Sequence, residues 1–149
     1  MTLVIGYGSP LRTDDQLGHY LATRLEQYWD AIILTQLMPE LAEPISRAQR
    51  VVFIDAAMGE TPGEITCERV EPLQTPGAFT HNVTPASLLA AARELYGAAP
   101  EAFLIAVTGA SFHYGCDFSP QIRAQLSQIT SRVKAITTEF FSTQLEVET

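Results

Sequence analysis

Four side chains in this sequence stand where they could do chemistry together. They are the adjacent acids Asp14 and Asp15, the acid Asp55 at the end of the apolar run Val51-Val52-Phe53-Ile54, and His81. Two carboxylates and one imidazole that converge form an oxygen-oxygen-nitrogen set, which suits a divalent transition metal and leaves positions open for a substrate. Asp55 is the most telling of the four, because a carboxylate that follows a buried strand must find a donor, a cation or a metal. Asp14 and Asp15 suit the first turn of a helix, where acids are favoured by the dipole. Adjacent side chains on a helix point about 100° apart, so the sequence leaves open which of the two faces a shared site. Glu40, a first-turn acid after the second strand, and His113, in a loop between Phe112 and Tyr114, are secondary candidates. His19 falls inside a helix and reads as a surface or partly buried residue. Cys67 reads as packing, and Cys116 as a loop thiol with no activating base nearby.

Several familiar chemistries lack their motifs. Gly6-Tyr7-Gly8-Ser9-Pro10-Leu11 has two glycines of a dinucleotide fingerprint but Leu11 in place of the third. Gly109-Ala110-Ser111-Phe112-His113 misses G-x-S-x-G at its last residue, and there is no H-E-x-x-H. The two cysteines stand in no C-x-x-C and no Cys/His cluster, which excludes a zinc ribbon or a thioredoxin-like redox site.

The elements that must position these residues follow from the apolar pattern. Leu3-Val4-Ile5, Ala31 to Leu34, Val51 to Ile54 and Phe103 to Val107 are short continuous apolar runs, as expected of strands buried on both faces. From Glu64 the pattern alternates, with Ile65 and Cys67 apolar, as in a half-exposed edge strand guarded by charge. Between the strands lie helical patterns. Thr13 and Gln16 form a capping-box pattern before Leu17, Leu21, Leu25 and Tyr28. A short or broken helix is expected around Pro39 to Ile45, with Pro44 badly placed for a longer one. Thr84-Pro85 supplies an N-cap and a first-turn proline to a helix burying Leu88, Leu89, Ala92 and Leu95. Ser119-Pro120 starts the last helix, where Ile122, Leu126, Ile129, Val133, Ile136 and Phe140 recur at helical spacing. Ala56 to Gly63 and Glu71 to Thr80 read as loops, and Gln144 to Thr149 as a frayed acidic tail.

Strands alternating with helices predict a three-layer α/β domain spanning residues 1–149: a mainly parallel, twisted sheet flanked by helices, with one edge strand antiparallel or irregular. In such sheets ligands bind beyond the carboxyl ends of the strands, which is where Gly6 to Asp15, Glu40 and Asp55 fall. The chain has 149 residues, 46% of them apolar, enough for a core that needs no disulfides. Its formal charge of −8 repels phosphate backbones and anionic membranes, so nucleic acid is an unpromising partner. Met1 to Ile5 is too short for a signal peptide and no run of 18 apolar residues occurs, which disfavours secretion and membrane spanning and points to the cytoplasm.

The stretch Gly6-Tyr7-Gly8-Ser9-Pro10-Leu11-Arg12-Thr13-Asp14-Asp15-Gln16-Leu17-Gly18 resembles the G-x-G-N-x-L-x-x-D-[DE]-G-x-G opening of the hydrogenase maturation endopeptidases. Further pieces follow in order: Gln36 to Glu43, the strand and acid Val52-Phe53-Ile54-Asp55-Ala56, His81 before a helix, and Gly115 with Ser119-Pro120 before the last helix. The resemblance covers nearly the whole chain. It implies a cytoplasmic α/β endopeptidase that removes a C-terminal peptide from the large-subunit precursor of a nickel-iron hydrogenase once nickel is in place. It also implies that Asp15, Asp55 and His81 contact the metal and serve catalysis, the metal being the substrate's own nickel and no tightly bound cofactor being required. Ser9 stands where the family has Asn, and Gln16 replaces the first glycine of the D-[DE]-G-x-G run, so this loop is expected to differ in shape. Two other readings use the same residues differently. A non-proteolytic nickel-binding or nickel-sensing protein would bind free nickel tightly, and a degenerate interaction module would be indifferent to loss of Asp55 or His81.

Overall fold

The computed structural model describes residues 1–74 and 82–142. Its strands are β1 (Thr2–Tyr7), β2 (Asp30–Leu34), β3 (Arg50–Ala57), β4 (Ile65–Arg69) and β5 (Glu101–Thr108), in the spatial order β2-β1-β3-β5-β4. β1, β2, β3 and β5 run parallel, and β4 pairs antiparallel with β5 at one edge. The helices are α1 (Leu17–Leu25), α2 (Ala42–Arg47), α3 (Pro85–Tyr96) and α4 (Pro120–Ser142). This is the three-layer, mainly parallel architecture expected from the alternating pattern. Among the described residues no helix is long and apolar enough to cross a membrane.

The continuous apolar runs are explained by two cores, one on each face of the sheet. Leu3, Ile5, Val51 and Phe53 point to the face covered by α2 and α3, where they meet Ala42, Ile45, Leu88, Leu89 and Ala92. Val4, Val52 and Ile54 point the other way, onto Leu17, Leu21 and Leu25 of α1 and Ile122, Ile129 and Val133 of α4. Successive strand residues alternate between faces, so a strand covered on both sides must be apolar at every position.

Several local expectations are corrected. Thr13 does not cap a helix: it begins a 3-10 turn (Thr13–Gln16) with φ at +46°, and its hydroxyl donates instead to the Ser111 carbonyl at 2.6 Å. α1 ends at Leu25, so Tyr28 lies outside it and is exposed, with the Lys134 ammonium over its ring. The packed face of α3 stops at Ala92, and its last turn projects past the core with Leu95 68% exposed. β3 continues through Ala57, so Ala56 and Ala57 are strand residues rather than the start of a loop, and Asp55 lies opposite Ala106 within the strand. Elsewhere the pattern holds. Thr84 and Ser87 form a reciprocal capping box at the start of α3, and Pro44 sits in the first turn of the short α2, where its missing N–H costs no helix bond. Part of the expected loop before α3, with His81, and the expected acidic tail from Gln144 lie outside the described residues.

Candidate active site

The site is assembled at the carboxyl ends of β1 and β3, and close backbone approach is what assembles it. A Cβ on Gly18 would lie 2.3 Å from the Tyr7 carbonyl oxygen and 2.4 Å from that of Ile54, so only glycine lets α1 start directly on these two strand ends. Gly8 has φ at +148°, and a Cβ there would meet the Asp15 carbonyl at 1.9 Å. The glycines of the opening motif thus serve packing between the strand ends and the turn that carries Asp14 and Asp15.

That turn sends its two acids in opposite directions. Asp14 is fully buried. Its carboxylate accepts hydrogen bonds from the backbone N–H of Ala110 (2.7 Å), Ser111 (3.0 Å) and Ser119 (2.9 Å), and from the Ser119 hydroxyl (2.7 Å). The same hydroxyl accepts from the Ile122 N–H in the first turn of α4, so one knot ties the first loop, the loop after β5 and the last helix. Thr13 reinforces it by its backbone bond to Gly115, and the Gln16 side chain by donating to the Cys116 carbonyl at 3.1 Å. Gln16, which departs from the motif, therefore adds a tie between loops.

Asp15 is half-buried and lines an open cleft of about 500 Å³ together with Asp55. Its Oδ2 accepts from the Ser9 N–H at 2.8 Å, which fixes the carboxylate at the mouth of the cleft. Asp55 accepts from the Ala56 N–H at 2.8 Å through Oδ1. Burial pushes its carboxyl up from the usual 3.8 to about 6, opposed by the Ala56 N–H and the Tyr7 hydroxyl and assisted by the negative charge of Asp15. The Tyr7 phenol is raised well above its ordinary value, by burial first and by the neighbouring Asp55 carboxylate second, so it stays protonated and can donate to that carboxylate. Thr35, Gln36 and Leu37 after β2, and Asn82, Val83 and Thr84 before α3, complete the described wall. No Lys, Arg or His is among these lining residues, so two like charges face each other in a space suited to a cation.

The structure therefore brings Asp15 and Asp55 together and takes Asp14 out of the cleft. His81 lies outside the described residues, although Asn82, the next residue in sequence, lines the cleft. Among the described residues no group of three His, Cys, Asp or Glu side chains could hold a metal ion. Glu40 is exposed and does not line the cleft; His113 and Cys116 are exposed in the loop before α4, and His19 is half-buried on α1. Tyr7 and Gln36 fall within the stretches that carry the resemblance but have no role assigned from them, and Thr35 lies outside those stretches. The signal all three share is position, at or just beyond the ends of β1 and β2.

Compared by sequence, the chain matches no family model and no curated protein. Compared by structure, it is similar to the hydrogenase maturating endopeptidase HybD from E. coli, with a TM-score of 0.72 and 25% identity over 93% of this chain and 92% of that one. The chain has the hydrogenase maturation endopeptidase fold. The [NiFe] hydrogenase maturation protease HycI from Thermococcus kodakarensis gives a TM-score of 0.67 and 26% identity, covering 92% of each chain. An endopeptidase from Escherichia coli gives 0.67 and 24%, covering 93% of this chain and 92% of that one. The resemblance read in the opening motif is thus matched in three dimensions over nearly the whole length, and these neighbours support a peptidase.

Proposed function

We propose that this protein is a cytoplasmic endopeptidase that removes the C-terminal peptide from a nickel-loaded large-subunit precursor of a nickel-iron hydrogenase. The observation that carries the reading is the pairing of Asp15 and Asp55 in one cleft, with no cation among its described lining residues, on a fold shared with hydrogenase maturation endopeptidases. Facing carboxylates repel, and a divalent cation delivered by the substrate relieves that repulsion while ordering the segment that carries it. Asp15 and Asp55 then serve as two oxygen ligands to the substrate's nickel, with His81 as the third ligand on the strength of the sequence resemblance. Tyr7 donates to Asp55 and holds it oriented, the usual task of a group behind a metal ligand. Nickel held this way can polarise the scissile carbonyl or activate a water, so cleavage is conditional on metal insertion.

The test is the intact mass of a cognate large-subunit precursor, with and without nickel, after incubation with the wild-type protein or with Asp55→Asn or His81→Ala. Loss of one C-terminal peptide from the nickel-loaded precursor alone, abolished by either substitution, is expected. Cleavage without nickel would overturn the role given to the metal, and no cleavage of a confirmed nickel-loaded cognate would overturn the reading.

A further inference from the structure

The two edges of the sheet are built differently. Along β4 the exposed residues Thr66, Cys67, Glu68 and Arg69 include two charges, which hinder the addition of another strand. β2 has a single charge, Asp30, at its start; Ala31 to Leu34 are apolar and half-exposed. Ala31 and Ile33 pack against the core beneath α1 and α4, while Ile32 and Leu34 pack against the one beneath α2 and α3. Both apolar layers therefore end in half-covered side chains at this edge.

The backbone of β2 is equally open. The Gly8 N–H donates to the Leu34 carbonyl at 3.2 Å, so the peptide groups of Leu34 face the β1 side. With the strand period of two, the N–H and C=O groups of Ala31 and Ile33 face away from β1, and among the described residues β2 pairs with no other strand. The strand then runs into Thr35, Gln36 and Leu37, which line the acid cleft. The chain bends at Thr35 and Gln36, so an extended chain lying on this edge has one end at the cleft.

We propose that the open edge of β2 takes the C-terminal tail of the substrate as an added antiparallel strand. This rests on the processing function proposed above. A tail that leaves the scissile bond at the cleft must run back toward the start of β2, which makes the pairing antiparallel, the more stable of the two arrangements. The tail's backbone pairs with Ala31 and Ile33, and its alternate side chains extend the two truncated apolar layers. Such recognition reads an extended, uncharged segment rather than a particular sequence.

Ala31→Pro removes one outward N–H and leaves the β1 ladder and both cores in place, because proline is tolerated where a strand N–H faces solvent. The expected result, with the nickel-loaded precursor as substrate, is a KM raised roughly five- to tenfold, a larger effect than any fall in kcat. Single prolines at successive tail positions of the precursor should lower kcat/KM at every second position. That scan uses the wild-type protein and decides the matter if Ala31→Pro fails to fold. An unchanged KM together with no alternation along the tail would overturn the docking edge and leave the processing function standing. Failure to cleave the unmodified nickel-loaded precursor would overturn both. A dimer of the free protein that Ala31→Pro dissociates would give the edge to a second copy and overturn the proposal.

Discussion

Asp14 and Asp15 are neighbours in sequence and opposites in environment. Asp14 is buried and accepts four hydrogen bonds from groups fixed by the fold, so its charge is spent holding three segments together. Asp15 accepts one backbone hydrogen bond and otherwise faces a cleft that already contains the carboxylate of Asp55. The difference teaches how a site stays strained while its frame stays rigid: the well-satisfied acid anchors the turn on which the under-satisfied one is presented.

The largest effect expected is on the anchor. Asp14→Ala leaves three backbone N–H groups and a buried hydroxyl without their acceptor, and should cost about 3–5 kcal/mol of stability in urea unfolding. A loss under about 1 kcal/mol would break the contrast at once. Asp55→Asn should act with the opposite sign. Its carboxyl is raised from 3.8 to about 6 in the folded protein, so the stability it contributes is fully present below about pH 3.8 and is lost as pH rises through about 6. At about 1.4 kcal/mol per pKa unit the ceiling is about 3 kcal/mol, and partial contact with solvent reduces it to about 1–2. The metal-free Asn variant should therefore be more stable than wild type by that amount at pH 8, with the gain vanishing near pH 4. A pH-independent difference would show that Asp55 is not destabilised by burial. Ser119→Ala, which removes one donor to Asp14 and the cap on Ile122, should cost about 1 kcal/mol and leave nickel-dependent processing per folded molecule unchanged.

The legible parts of this molecule are those written in side-chain pattern. Val51 to Ile54 announces a strand covered on both faces because every position must be apolar, and the spacing from Ile122 to Phe140 announces α4 because one helical face must be. The strand-end rule marks Asp55, since a charge there cannot follow a buried run without a purpose. The roles of Asp14 and Asp15 were not separable in the same way. The donors to Asp14 are backbone N–H groups and one serine 96 to 105 residues away, and a backbone N–H has no signature in sequence. The place of Tyr7 in the site is illegible in the sequence for a related reason. The burial of Tyr7 comes from packing against the core beneath α2 and α3 and from the cleft it shares with Asp55, a fact of three-dimensional approach and not of local spacing.

The most direct test of this division of labour is the rate at which Asp15→Asn releases the C-terminal peptide from a nickel-loaded precursor, compared with Asp14→Asn at equal concentrations of folded protein. Asp15→Asn is expected to unfold in urea within about 0.5 kcal/mol of wild type and to process at least roughly a hundredfold more slowly. Asp14→Asn is expected to be markedly less stable while its folded fraction still cleaves. An Asp15→Asn protein that processes at the wild-type rate, or an Asp14→Asn protein that is fully stable yet inactive, would contradict the account.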